Sequence, residues 1–441
     1  MENSPTELKR VIGVAGLAFT VINGTIGAGI YVLPAIIGIE LGTASILGFI
    51  LCALMFTAII LCYVEVGSKI KTSGGSYAYV EAAFGPMAGF VTNWMLFFGW
   101  GILSSAAVLN MVADSLTLMF PILSAPGMRV GLFVLLVGFM VLLNVRSVKG
   151  SVAFVSGITL AKLIPLFAII IFGAAFIDGN NLKLEALPSI SSFENTAIIL
   201  FFAFAGFESA LSVSGELKDP KRTIPRGILL GGLLILLTYI LIQVVVQGIL
   251  GAQLIEFKAA PLAAVAQRIV GPIGATILLL AAVLSGFGAI IGDVLLSPRL
   301  LYAAAKDGLF PAFLKKIHPR FGTPYWAIIA YASLIFIFSV GGEFKQLAIL
   351  ASGALLLVYL GVILSTIKLR MTKQHTIEKT YKVPGGLTIP ILGIIAIIWV
   401  LSNLSMQENG ALLIFLVAIL VLYFVTRKLR KPQQDMEELP K

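Results

Sequence analysis

The stretch from residue 11 to residue 37 reads VIGVAGLAFTVINGTIGAGIYVLPAII and is largely apolar. It contains one glycine-rich run, GTIGAG at residues 24–29, in which the glycines let the backbone leave helical angles. An apolar stretch of this length is sufficient to cross a bilayer, whose hydrocarbon core of about 30 Å needs roughly 20 helical residues. We therefore expect a membrane-spanning helix that is interrupted near its middle.

The rest of the chain has the same apolar character. Hydrophobic residues make up 59% of the 441 residues and charged residues 12%, and the mean hydropathy is +1.03. No water-soluble domain of this size carries such a composition on its surface, so the sequence predicts an all-α, polytopic membrane protein. We predict twelve spans: 11–37, 43–67, 86–113, 129–147, 152–177, 193–214, 226–251, 271–298, 325–341, 345–369, 388–405 and 409–427.

The basic residues predict the topology. If the tail Met1–Arg10 is cytoplasmic, all but six of the 31 Lys and Arg residues fall on the cytoplasmic side of the predicted spans. This is the positive-inside pattern, and it accounts for the net charge of +10 without nucleic acid as a partner. We expect both termini to be cytoplasmic, the first span to be retained rather than cleaved, and a bacterial or archaeal plasma membrane to be the location.

The polar residue types argue against catalysis. Cys52 and Cys62 lie ten residues apart in one span, about 15 Å along a helix and too far apart to bond to each other. His318 and His375 both fall in cytoplasmic turns, so we expect no metal site, no organic cofactor and no enzyme. A nucleotide-driven pump is also disfavoured, because the phosphate-binding pattern Gly-x-x-x-x-Gly-Lys-Ser/Thr is absent from the sequence.

A second interruption, FAGFES at residues 204–209, lies about 180 residues after the first, in the sixth span. Helices 1 and 6 are then the corresponding members of two five-helix halves, 11–177 and 193–369. An odd number of helices in each half makes the second half inverted. Paired broken helices point to a transport site, although glycines also serve close helix packing. Residues 388–427 supply two further helices in a single membrane domain spanning 1–441.

The chemistry of the two breaks predicts the kind of ligand. The half-helix beginning near Gly27 to Gly29 offers N–H groups that suit a carboxylate. Carbonyl groups at Asn23 to Thr25, and from Phe202 to Ala205, suit an ammonium group, which needs three acceptors. An α-amino acid carries both charges, so the sequence predicts a small zwitterion as the substrate.

Several motifs in order along the chain resemble the amino acid-polyamine-organocation (APC) transporter superfamily. The matching stretches are GTIGAGIY (24–31), SGGSYAY (73–79) with FGP (84–86), GFES (206–209), Glu216 with DPKRTIPR (219–226), PRLLY (298–302), KDGLFP (306–311), TP (323–324) and YKVPG (381–385). The resemblance implies the LeuT-type fold of two inverted five-helix repeats plus two helices, alternating access, and amino acids as substrates. It leaves open which amino acid is carried.

The resemblance also implies the substrate contacts. Carboxylate contacts would fall on backbone N–H groups of Gly27, Ala28 and Gly29, and amine contacts on the carbonyls of Thr25, Phe202 and Ala205. Phe202 and Phe207 would be aromatic walls or lids, and Trp100 with Ser104 would face the substrate from helix 3. For each aromatic residue taken alone, packing against lipid is the alternative.

Three ionisable residues lie at membrane depth, where charges are costly and mark functional sites: Lys162, Glu208 and Asp293. The resemblance implies that Lys162 replaces a cation held between helices 1 and 8 in sodium-coupled relatives, with its ammonium on carbonyls of the first break. Its reversible deprotonation would couple transport to protons. A snorkelling or permanently charged lysine is the alternative, and such a charge is compatible with exchange.

The two carboxylates have open roles. Glu208 follows the second break, where it would bind a substrate cation, transmit protonation or tie broken backbone N–H groups together. Asp293 favours a substrate with a side-chain amine, or a protonated intermediate, if it faces the pocket; a pair with Arg299 or another polar group is the alternative. Glu65, Asp114 and Arg299 lie near helix ends, where water or loop contacts can satisfy them.

The predicted function is secondary transport of amino acids, coupled to protons or by exchange. A polyamine or cationic amino-acid antiporter is the first alternative, motivated by Glu208 and Asp293. A sensor built on a transporter frame is a weaker one, because the tail from Lys428 to Lys441 is short and both breaks are present. The expected partners are a small amino acid or amine, protons and the lipid bilayer; the oligomeric state is left open.

Overall fold

The computed structural model describes residues 12–27, 29–70, 75–146, 162–184, 187–208, 217–306, 310–372 and 381–437. Ala28, the tail Met1–Arg10, residues 152–161 of the fifth predicted span and residues 209–214 of the sixth lie outside this part. Within it, the regular structure is helical, apart from one isolated bridge between Ile12 and Leu217.

Seventeen α-helical segments follow one another in the described residues. The first nine are α1 (Val14–Thr25), α2 (Leu33–Leu41), α3 (Ser45–Lys69), α4 (Ser76–Phe84), α5 (Pro86–Trp94), α6 (Leu103–Met119), α7 (Pro126–Arg146), α8 (Lys162–Phe176, which ends in the 3₁₀ turn Ala174–Phe176) and α9 (Ile190–Phe204). The remaining eight are α10 (Pro220–Leu250), α11 (Pro261–Val270), α12 (Pro272–Leu296), α13 (Pro298–Lys306), α14 (Tyr325–Gly341), α15 (Phe344–Met371), α16 (Thr388–Ser402) and α17 (Met406–Glu437).

Seven helical stretches in the described residues are long and apolar enough to cross a membrane. Shorter apolar helices, among them α1, α8, α9, α14 and α16, cover other predicted spans. Hydropathy did not predict the connecting helices α4, α11 and α13, because each is too short to register as a span. It also did not predict that the third span changes to π-helix between α5 and α6, from Met95 to Ile102.

Helix α1 packs against α10 through two glycines four residues apart. A β-carbon at Gly227 would lie 2.8 Å from the Leu17 side chain, and one at Gly231 would lie 2.9 Å from Val21 and 3.1 Å from the Ala18 carbonyl. Small residues at this spacing let two helix backbones approach closely where lipid provides no hydrophobic driving force. The contact holds the first half of the broken span against a long, continuous helix.

Helices α6 and α12 form a second close pair. A β-carbon at Gly286 of α12 would meet Val112 at 2.7 Å and Met111 at 2.9 Å. Helix α15 lies beside α3, α6, α9 and α16. The interrupted segments therefore face a space bordered by α6, α10 and α12.

An ion-pair network joins α3, α15 and the segment that precedes α16. The carboxylate of Glu65 is fully buried and accepts hydrogen bonds of 2.8 Å from Lys69 Nζ, Arg370 Nε and the Val383 N–H. Arg370 also donates to the Gly386 carbonyl at 2.5 Å. Glu65 is therefore held by two cations as well as by the loop contact that the sequence suggested.

We expect Glu65→Gln to lower the free energy of unfolding by about 3 kcal/mol, because two cations and a buried N–H would lose their common anion. Thermal unfolding of the detergent-solubilised protein measures the loss. Asp114→Asn is the matched control, since the Asp114–Arg129 pair (2.7 Å) is 44% and 29% exposed and removing it should cost about 0–1 kcal/mol. Equal shifts for the two variants would contradict a special role for the Glu65 network.

Candidate functional site

The first span breaks within the predicted glycine run. Helix α1 ends at Thr25, a single 3₁₀ turn covers Gly29–Tyr31, and α-helix resumes only at Leu33. The second half-helix was predicted to begin near Gly27 to Gly29; its regular α-helical part begins a few residues later, at Leu33. Pro34 at the start of α2 explains the position, because proline is favoured in a first helical turn and disfavours helix in the residues before it.

Two backbone groups that were predicted as substrate ligands are bonded to each other. The Gly27 N–H donates to the Thr25 carbonyl at 2.8 Å. The Tyr239 hydroxyl lies 3.2 Å from the same carbonyl and shares its one hydrogen between this carbonyl and that of Ala203 at 2.8 Å. In this conformation the Gly27 N–H is bonded within the break, and the role of Thr25 and Gly27 as substrate ligands stays a prediction.

The second break lies directly against the first. Helix α9 ends at Phe204, and Gly206 adopts a positive φ of 108° that favours glycine. A β-carbon at Gly206 would lie 2.5 Å from the Gly24 carbonyl oxygen. Glycine is therefore required here both for its backbone angle and for the approach of the two breaks.

We expect Gly206→Ala to reduce transport by about tenfold or more, because the added methyl group would push the two broken segments apart. Uptake into proteoliposomes measures this. Gly271→Ala is the matched control: Gly271 has a positive φ of 75°, but a β-carbon there would meet no atom within 4 Å. If Gly271→Ala impaired uptake as strongly, backbone strain rather than contact between the breaks would be the cause.

Tyr239 of α10 bridges the two breaks. Its hydroxyl lies 3.2 Å from the Thr25 carbonyl and 2.8 Å from the Ala203 carbonyl, one on each broken segment. The ring packs edge-on against Phe49 and Phe204. Sequence reasoning missed this residue; the available signal was a tyrosine within an apolar span, whose hydroxyl needs a buried partner.

Tyr239→Phe keeps the ring and removes the bridging hydroxyl, so we expect uptake to fall by about 2- to 10-fold. Initial rates of uptake at saturating substrate measure the change. Tyr423→Phe serves as the control, because Tyr423 lies on α17 and packs against Phe90 and Phe424, away from both breaks. Unchanged uptake for Tyr239→Phe would mean that the bridge does not matter for transport.

A cavity of about 370 Å³ lies where the two breaks meet α6, α8 and α12. Its volume is in the range of small-molecule sites. Ten of the predicted site residues line it: Thr25, Gly27, Gly29, Trp100, Ser104, Lys162, Phe202, Ala205, Glu208 and Asp293. Lining residues that the sequence did not single out include Gly101, Ser105, Tyr239, Ser285 and Gly292.

Phe207 lies elsewhere. Its ring is buried and packs against Phe56, Tyr63 and Tyr359, with ring centroids 5.1–5.8 Å apart, and it does not line the cavity. In this structure the turn at Gly206 directs Phe207 into an aromatic cluster between α3 and α15, and its role as a wall or lid over the substrate stays a prediction.

Phe202 and Trp100 form an aromatic wall of the cavity. Their ring centroids are 5.6 Å apart, and Phe344 at the start of α15 packs edge-on against Phe202 at 5.8 Å. Trp100 lies in the π-helical segment of the third span, and π-helical turns often occur at functional sites. The wall joins three separate helical segments.

Lys162 lies at the end of the first half-helix. Its side chain is 5% exposed, and Nζ donates to the Asn23 carbonyl at 2.9 Å. Tyr31, just after the break, donates its hydroxyl to the Lys162 carbonyl at 3.1 Å. The ammonium group therefore sits against the negative end of α1, where a cation is stabilised.

Glu208 binds backbone of its own break. Its Oε2 accepts the Gly206 N–H at 3.1 Å and the Tyr359 hydroxyl at 2.8 Å. Of the roles left open by the sequence, this geometry matches a carboxylate that ties broken backbone together. Glu208 also lines the cavity, so it can meet a ligand there as well.

Asp293 of α12 is surrounded by hydroxyl groups. It accepts hydrogen bonds from Ser105 at 2.8 Å, Tyr331 at 2.5 Å and Ser297 at 2.6 Å. These donors come from α6, α14 and the residue that follows α12. The sequence left two positions open for Asp293, one facing the pocket and one held by nearby polar groups. In the structure Asp293 lines the cavity and is also hydrogen-bonded to three hydroxyls.

Two buried hydroxyl oxygens on the cavity wall, Thr25 Oγ1 and Ser285 Oγ, have no hydrogen-bond partner within the described part of the chain. Cys52 and Cys62 are free and buried. Across the described ranges, no group of three or more His, Cys, Asp or Glu side chains is arranged to hold a metal ion. The hydroxyls of Thr25 and Ser285 are therefore available to form hydrogen bonds with a small ligand in the cavity.

Apolar helices that are interrupted in pairs around a cavity are typical of membrane transporters. The sequence profile described as amino acid permease matches residues 12–430. The chain belongs to this amino acid permease family and is therefore a multi-pass membrane protein.

Individual relatives are distant, and two of them cover nearly the whole chain. The branched-chain amino acid permease BcaP of Bacillus subtilis is 26% identical over 97% of this chain and 95% of its own length. The serine/threonine exchanger SteT of the same organism is 27% identical over 93% and 94%. An uncharacterized transporter of Mycobacterium bovis is 27% identical over 75% and 74%.

Proposed function

We propose that this protein is a secondary transporter that carries amino acids across the plasma membrane by alternating access. The observation that carries the proposal is the 370 Å³ cavity between the two helix breaks, into which most of the predicted ligand residues converge. Membership of the amino acid permease family supports the substrate class. Both relatives of named activity handle neutral amino acids by their names.

The proposed architecture has twelve spans, with LeuT-type inverted repeats at 11–177 and 193–369 and two helices at 388–427. Two interrupted spans in corresponding positions support this assignment. The substrate carboxylate would approach backbone N–H groups near Gly29, at the start of the 3₁₀ turn. The ammonium group would approach carbonyls at the end of α9, from Phe202 to Ala205.

The proposed coupling element is Lys162. Its contact with the Asn23 carbonyl at 2.9 Å holds a positive charge at the first break, where it can regulate the conformation of α1. If the charge is lost and regained during transport, the cycle is proton-coupled. If it stays, the protein exchanges one substrate for another with Lys162 as a fixed charge.

Uptake of a labelled amino-acid panel into proteoliposomes, with and without an inward proton gradient, tests the function and the coupling. Gradient-stimulated uptake that is lost in Lys162→Ala, because no group remains at Asn23 to take up the proton, is the result expected for proton coupling. Gradient-independent uptake that requires internal amino acid indicates exchange. Lys345→Ala, which removes an exposed lysine at the start of α15, is the control and should match the wild type.

Absence of uptake for every member of the panel would contradict the proposal. Polyamines and cationic amino acids belong in the same panel, because Glu208 and Asp293 line the cavity and a polyamine or cationic amino-acid antiporter is the second candidate. Putrescine uptake without uptake of any amino acid would favour a polyamine carrier.

A further inference from the structure

Asp293 is an acidic side chain on the cavity wall without a basic partner among the described residues. Its three partners are the hydroxyls of Ser105, Tyr331 and Ser297. The ion pairs of the described residues involve other carboxylates. A buried carboxylate with hydroxyl donors alone remains open to a cation, and leaving it unpaired is costly.

The carboxylate has one acceptor position left. Oδ2 accepts from both Ser105 and Tyr331, which fills its two lone-pair positions, whereas Oδ1 accepts only from Ser297. Oδ1 lies beside Gly101, where a β-carbon would be 3.8 Å away. Gly101 also lines the cavity, so no side chain at this position covers the remaining acceptor site.

Four of the α12 residues that line the cavity beside Asp293 are small. Ser285, Gly288, Ala289 and Gly292 line the cavity from one face of α12, at the i, i+3, i+4 and i+7 spacing that shares a helical face. Ser285 and Asp293 are eight residues apart, or about 12 Å along the helix. The small side chains at these four positions leave this face of α12 open along the cavity up to Asp293.

The other two charged side chains of the cavity contact backbone groups of the breaks, whereas the three partners of Asp293 are side-chain hydroxyls. Lys162 contacts the Asn23 carbonyl, and Glu208 contacts the Gly206 N–H and the Tyr359 hydroxyl. The α-amino and α-carboxyl groups of a substrate would be held by the breaks. Asp293 therefore remains for the end of the substrate side chain.

We infer that Asp293 is the side-chain selectivity residue of this transporter, and that it makes the site prefer amino acids whose side chain ends in a cationic amine. The inference rests on the proposed function of the cavity. An apolar side chain leaves the carboxylate without a counter-ion, and an acidic side chain is repelled by it. A basic side chain supplies both the charge and the missing donor.

Competition between lysine and norleucine for uptake into proteoliposomes tests the inference, because norleucine has the same chain length without the amine. The wild-type protein should prefer lysine by about tenfold or more, and Asp293→Asn should lower this ratio about tenfold while norleucine uptake persists. Asp114→Asn, which removes a carboxylate outside the cavity, should leave the ratio unchanged. Glutamate should compete poorly with the wild type.

Asp293→Glu provides a second measurement, the chain length of the preferred substrate. A purely structural role of Asp293 would not alter this preference. The carboxylate of this variant extends one methylene further, so the preferred substrate should shift from lysine toward ornithine, which is one methylene shorter. A wild-type protein that takes up norleucine as well as lysine overturns the inference but leaves the proposed transport function intact. An Asp293→Asn variant that loses all substrates equally also overturns it, whereas a wild type without any amino-acid uptake contradicts the function itself.

Discussion

Backbone N–H and carbonyl groups inside a bilayer must be hydrogen-bonded. Where the two helices are interrupted, these groups lose their partners within the helix, and other residues have to supply them. The partners come from several helices. Lys162 of α8 covers the Asn23 carbonyl, Tyr239 of α10 covers one carbonyl on each break, and Glu208 accepts the Gly206 N–H. The two breaks and their supporting side chains therefore form one polar unit within an apolar bundle.

The buried charged residues fall into two groups, which differ in whether their hydrogen-bond partners carry the opposite charge. Glu65 is paired with Lys69 and Arg370 and lies outside the cavity lining, so it holds helices together. Lys162 and Asp293 line the cavity and contact a backbone carbonyl or hydroxyls. These dipolar partners stabilise a charge without neutralising it, which leaves the charge available to a ligand or a proton.

Glycines act at three kinds of position in this chain. Gly227 and Gly231 let α1 approach α10 closely, which is a packing role. Gly206 instead combines a positive φ with the contact between the two breaks. Gly101 leaves room for the Tyr331 hydroxyl, which lies 2.7 Å from where its β-carbon would be. The sequence shows a glycine in each case, but only the neighbouring atoms distinguish the roles.

The sequence by itself determined the membrane class and the location of both breaks, because hydropathy and glycine runs are local properties of the chain. It also pointed to Lys162, Glu208 and Asp293, since a charge in an apolar span is conspicuous. Only the tertiary structure decided the start of α2 at Leu33, the internal bond between Gly27 and Thr25, and the burial of Phe207 away from the cavity. It also supplied Tyr239 and the hydroxyls around Asp293, because hydrogen-bond partners far apart in the chain are selected by how helices pack, and a single sequence does not record that packing.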